Sequence, residues 1–116
     1  MAHVIFVCDT CCPKNGQPRG AGFAATLRAA LAAEAELADV EVRTESCLNM
    51  CEEPMALALR APGKVAYLFA GLDPEEDVAD TLALVRLYRE APDGVIADAR
   101  PAGRLRFCLK GRVPAL

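Results

Sequence analysis

His3-Val4-Ile5-Phe6-Val7-Cys8, followed by Asp9-Thr10-Cys11-Cys12-Pro13-Lys14-Asn15-Gly16-Gln17-Pro18-Arg19-Gly20, is the stretch on which the fold turns. The first residues form a short apolar run rich in β-branched side chains. Such a run, cut off by turn formers, reads as a buried strand. The residues after Cys8 hold Pro13, Gly16, Pro18 and Gly20, so they read as a loop. Residues 21–38 read as a helix, because Phe23, Leu27 and Leu31 recur at every fourth position among strong helix formers. Residues 40–46, Val40-Glu41-Val42-Arg43-Thr44-Glu45-Ser46, alternate apolar and polar and read as a strand with one wet face. Strand, helix and strand make a βαβ unit, whose two strands run parallel through a right-handed crossover.

Outward from this unit, Cys47-Leu48-Asn49-Met50-Cys51-Glu52-Glu53-Pro54 forms a second loop. Residues 55–60 and 65–70 read as strands joined by Ala61-Pro62-Gly63-Lys64, a Pro-Gly turn that makes a hairpin. Asp73-Pro74-Glu75-Glu76 opens a helix, with Asp73 as its cap and Pro74 at its first position. Val78, Leu82 and Val85 mark the expected buried stripe as far as about Glu90, and Pro92 and Gly94 stop the helix. The order βαβ-ββα predicts an α/β, thioredoxin-like fold with a four-stranded mixed sheet over residues 1–94. Residues 95–116 fall outside that core as a basic C-terminal extension, with Arg100, Arg104, Arg106, Lys110 and Arg112 against the single acid Asp98. The plain expectation is a tail packed on the acidic face near Asp73–Asp80. The sharper one is a docking patch for an acidic redox partner.

Bulk properties narrow the function. At 116 residues the chain is one domain, large enough to bury a core without disulfide staples. A net charge of −3 gives no electrostatic case for nucleic acid, and no apolar run has the length of a membrane span. The N-terminal residues read as a first strand and not as a signal peptide, so a cytoplasmic setting is expected. There a disulfide framework is disfavoured, and six cysteines point to metal ligation, redox chemistry or buried thiols.

Position separates these readings. In a βαβ unit the C-terminal ends of both strands lie side by side, so the loops after them meet at the end where open sheets bind ligands. Cys8 and Cys11 form a Cys-x2-Cys pair on one loop, and Cys47 and Cys51 a Cys-x3-Cys pair on the other. Four converging thiolates suit a [2Fe–2S] cluster or a zinc ion. A third reading needs no metal: Cys8 and Cys11 follow a first strand as a dithiol–disulfide oxidoreductase pair would, and Pro54 lies where such enzymes place a cis-proline. Against it, Pro13, Gly16, Pro18 and Gly20 hold the helix away from the pair, and Cys47 and Cys51 are left without a role. Asp9, Glu52 and Glu53 would lower the potential of a cluster, whereas donors from Thr10, Asn15 and Ser46 would raise it. His3 is expected at the surface and Cys108 as an apolar filler of the tail. One histidine excludes a Ser-His-Asp set, and Gly16, Gly20 and Gly22 match no phosphate-binding motif, so an enzyme is not expected.

Phe6-Val7-Cys8-Asp9-Thr10-Cys11, Glu45-Ser46-Cys47-Leu48-Asn49-Met50-Cys51, Ala61-Pro62-Gly63-Lys64, Leu72-Asp73-Pro74 and Pro92-Asp93-Gly94 together resemble a bacterial family of predicted metal-binding proteins. That family is similar to thioredoxin-like [2Fe–2S] ferredoxins. The resemblance covers nearly the whole chain and implies Cys8, Cys11, Cys47 and Cys51 as ligands. It also implies one-electron transfer to a redox partner protein and leaves a homodimer open. The sequence departs from the pattern in three places. The ferredoxins separate their first two ligands more widely, Met55 stands where the family often has a further cysteine, and Cys12 is an additional thiol that could replace Cys11.

Overall fold

The computed structural model of the chain describes residues 3–8, 20–45, 55–73 and 75–115. Five strands form one sheet: β1 (Val4–Cys8), β2 (Glu41–Glu45), β3 (Leu57–Arg60), β4 (Ala66–Phe69) and β5 (Leu109–Val113). Their order is β2-β1-β3-β4-β5. β1 and β2 are parallel, with Ile5 opposite Val42 and Cys8 opposite Glu45. The pairs β1–β3, β3–β4 and β4–β5 are antiparallel. The fold is α/β with a mixed sheet, and the expected four strands are corrected to five. Leu109–Val113 escapes a reading by alternation because all five of its residues are exposed, so no core face imprints a pattern on it.

Side chains alternate across the sheet, so register sorts them onto two faces. Val42, Ile5, Val7, Leu57, Leu59, Tyr67 and Phe69 share one face and join the core. The helices α1 (Gly20–Ala32) and α2 (Val78–Glu90) contribute to that core. Phe23, Ala24, Leu27 and Leu31 are the buried stripe of α1. On α2 the buried positions are Thr81, Leu84, Val85 and Tyr88, with Val78 and Leu82 half-buried, so its stripe is rotated from the expected one. The Tyr88 ring meets the Tyr67 ring edge-on at 5.9 Å between centroids. Each large side chain buried here contributes about 1.5–3 kcal/mol of transfer free energy.

The first helix ends earlier than its composition suggests. It stops at Ala32, Glu34 is extended, and Ala35–Leu37 forms a single 3-10 turn. In a continuous helix Leu37 would point roughly 120° away from Leu31. The break instead lets Leu37 reach the core, where it is fully buried. α2 starts later than its sequence suggests, at Val78 with Asp77 as the N-cap residue and not at Asp73. The Asp73 carboxylate accepts hydrogen bonds from the N–H groups of Glu75 and Glu76, both at 2.8 Å, as a cap does.

The C-terminal segment is part of the body of the protein. Arg100–Phe107 forms a 3-10 helix that packs on α2, with Ala102 and Leu105 fully buried. Its backbone kinks at Gly103, where φ is 60°. The conformation favours glycine, and a Cβ there would lie 2.6 Å from the Asp80 carboxylate, which would have to move aside. Arg104 ion-pairs with the buried Asp77, its Nη2 reaches the Gly71 carbonyl at 2.9 Å, and its N–H donates to Asp80 at 3.3 Å. Among the described residues no helix is long and apolar enough to cross a membrane.

Candidate metal centre

Cys8 ends β1, a strand paired on both sides, with β2 and with β3. It is 1% exposed, and its N–H donates to the Ala56 carbonyl at 3.2 Å. Beside it in the parallel ladder is Glu45, the last residue of β2. On its other side Met55 leads into β3 and is locked to Leu72 by reciprocal backbone hydrogen bonds of 3.3 and 3.2 Å. Three chain ends therefore gather at one end of the sheet. Cys8 precedes the stretch 9–19 in sequence, and Gly20, the buried first residue of α1, follows it. Glu45 precedes the stretch 46–54, and Met55, which is fully buried, follows it.

Of the four cysteines named as ligands, Cys8 is therefore placed, while Cys11, Cys47 and Cys51 lie outside the described residues, as does Cys12. The same holds for Asp9, Thr10, Asn15, Ser46, Glu52, Glu53 and Pro54. Among the described residues no three His, Cys, Asp or Glu side chains converge in a way that could hold a metal ion.

Cys108 lies at the same end of the sheet but on its far side. Its carbonyl accepts the Ala70 N–H at 3.0 Å, and its Sγ lies 3.8 Å from the Arg104 carbonyl. It is 4% exposed and belongs to the apolar core.

The opposite end of the sheet holds a polar cluster that the sequence does not announce. His3, expected at the surface, is 7% exposed. Its Nε2 lies 2.8 Å from the Nζ of Lys64, which is equally buried. The same ammonium donates to the carbonyls of Tyr88 at 2.8 Å and Arg89 at 3.1 Å, the last turn of α2. A cation at a helix C-terminus satisfies orphan carbonyls and suits the helix dipole. Burial lowers the Lys64 pKa, and the neighbouring Arg89 charge lowers it further. Burial also raises the Tyr88 phenol to about 12, so its hydroxyl stays protonated and donates to the Val65 carbonyl at 2.7 Å. The sequence marks Lys64 only as the end of a hairpin turn. Its partners lie at the far end of α2, and no local pattern reports a contact across that separation.

The face of the sheet away from the core cluster carries a shallow groove of about 800 Å3, whose lining includes Phe6, Arg43, Arg60, Ala66 and Val113. The Arg43 guanidinium lies 6.0 Å from the Phe6 ring centre and pairs with Glu41 at 2.8 Å.

A family model described as "Protein of unknown function (DUF1636)" matches residues 5–115. No curated protein and no solved structure matches the chain.

Proposed function

The chain belongs to the DUF1636 family, and from the setting of its first strand we propose that it holds a [2Fe–2S] cluster on Cys8, Cys11, Cys47 and Cys51 and serves as a one-electron carrier. The observation that carries this reading is the parallel register of Cys8 with Glu45. Adjacent strands lie about 4.8 Å apart. Cys11 is three residues beyond one member of that pair and Cys47 two beyond the other, a covalent reach of about 10 and 7 Å. Both cysteine pairs thus spring from neighbouring points. The strand order β2-β1-β3-β4, with only β1 and β2 parallel, supports reading the core as thioredoxin-like with β5 added at its edge.

The donor set fits the group. Thiolates are the usual ligands of iron–sulfur clusters, and two loops giving two each supply both irons. The cluster would bring the one-electron chemistry, and the chain would contribute ligands, burial and hydrogen bonds to sulfur. Residue 8 is buried and fixed on a central strand, which favours a ligand position held before the metal arrives. The dithiol–disulfide alternative draws less support. Pro13, Gly16 and Pro18 stand in sequence between the Cys8–Cys11 pair and α1, and Cys47 and Cys51 are left without a role.

Anaerobic purification with a visible spectrum, iron and acid-labile sulfide analysis tests the proposal. The expected result is a coloured protein with two irons and two sulfides per cluster, lost in Cys8→Ala and kept in Cys108→Ser. A colourless protein with one zinc, whose stability falls on adding chelator, would replace the cluster by structural zinc. A metal-free protein with a reversible Cys8–Cys11 disulfide, unaffected by Cys47→Ser, would support the oxidoreductase.

A further inference from the structure

Residues 99–116 contain five bases and no acid, in a chain whose net charge is −3. Arg100 and Arg104 are held within the fold. Arg100 pairs with Asp98 at 2.9 Å, and Arg104 is held by Asp77 and the Gly71 carbonyl. Arg106, Lys110 and Arg112 are exposed along β5 and the residues just before it. Between them stand apolar side chains that folding leaves in water: Phe107 is 72% exposed, Leu109 44% and Val113 64%. The Arg106 guanidinium lies 4.6 Å from the Phe107 ring centre, so charge and apolar surface form one strip.

The backbone of β5 adds a second feature. It is the last strand in the sheet order, and among the described residues only β4 pairs with it. The outer N–H and C=O groups of such a strand are a template for another strand. A second copy of the chain is a poor occupant. Two β5 strands paired antiparallel about Gly111 would set Lys110 of each against Arg112 of the other, and like charges placed directly opposite repel. An acidic strand with alternating apolar residues meets the same edge with opposite charge.

We propose that the outer edge of β5 is a docking site for an extended acidic segment of a partner protein, which adds to the sheet as a further strand. Backbone hydrogen bonds supply the geometry, Leu109 and Val113 the apolar contacts, and Arg106, Lys110 and Arg112 the selection for acid. β5 begins at the sheet end where Cys8 sits, since the Cys108 carbonyl accepts the Ala70 N–H there, and runs to the opposite end at Val113. The inference stands on the strand and its charge and does not depend on a metal.

The full chain, 15N-labelled, would be titrated with a capped eight-residue peptide of alternating Glu and Val, with an alternating Lys and Val peptide as control. Binding of the acidic peptide alone is expected, with amide shifts concentrated at Leu109–Val113 and affinity falling as salt is raised. Lys110→Glu combined with Arg112→Glu should weaken it about tenfold. If that variant fails to fold by circular dichroism, the shift map and salt dependence of the unaltered chain still decide. No binding at low salt, equal binding of the basic peptide, or shifts elsewhere would overturn the proposal. A dimer that protects the β5 amides without peptide would assign the edge to a second copy. Metal content is recorded separately, so failure here leaves the metal centre standing, and the reverse.

Discussion

Lys64 shows how one side chain can join distant parts of a fold. Its ammonium binds the last carbonyls of α2 and lies against His3 at the head of β1, so it ties the hairpin turn to two other elements. Lys64→Met keeps the stem and removes the donor, leaving buried acceptors unmatched. Unfolding in urea should show a loss of about 1–3 kcal/mol. A more stable variant would mean that burying the charge costs more than its hydrogen bonds return. The pH dependence follows from the shift directions. A lysine whose pKa is lowered on folding binds fewer protons than the unfolded chain, which titrates near 10.4. The cost of its charge is thus present in full at low pH and is lost as pH climbs toward that value, so stability rises. Tyr88 acts in the other direction. Its folded pKa of about 12 lies above the unfolded value near 10, so stability falls between them. Urea midpoints measured from pH 8 to 11 should rise less steeply in Lys64→Met and fall less in Tyr88→Phe.

Among the elements, the 3-10 helix over Arg100–Phe107 is the one most open to test. Gly103→Ala would place a methyl group against the Asp80 carboxylate in a backbone conformation that alanine resists. A thermal melt should show a loss of at least about 1 kcal/mol. Leu105→Ala removes a fully buried side chain and should cost about 2–5 kcal/mol. An unchanged melt in both variants would mean that the helix is not docked as described. The elements also show what was legible in advance. Val4–Cys8, Glu41–Glu45 and the Pro62-Gly63 hairpin could be read because each has a short, complete local signal. The hairpin turn closes with Gly63 at φ 73°, as its sequence requires. The end of α1 could not be read, since Leu37 is drawn out of helical phase by burial alone. β5 could not be read because its alternation is short and interrupted by Gly111, no face of it is buried, and its pairing depends on β4 far back in the chain. His3 was misread for the same reason: burial depends on Lys64, which no neighbour in sequence reports. At the candidate centre, the sequence pointed to four cysteines, and the fold adds the registered strand end on which the first of them stands.

For the molecule as a whole, a boundary after Gly94 separates sequence patterns but cuts through the sheet and the core. Ala102, Leu105 and Cys108 are core residues, and β5 covers the edge of β4. A chain ending at Gly94 would expose Ala66–Phe69 as an apolar edge, a template for aggregation. Size-exclusion chromatography should find it aggregated or in the insoluble fraction, whereas a soluble monomer would restore the boundary. The central place of β1 has a consequence for synthesis. Of the described strands β1 is made before the two it pairs with, residues 41–45 and 57–60. A nascent chain emerging from the ribosome would carry Val4–Cys8 unpaired on its β3 side until residue 60 had been translated. That apolar strand is in the interval a ready client for a chaperone, and the sheet closes only after its earlier residues have waited for later ones.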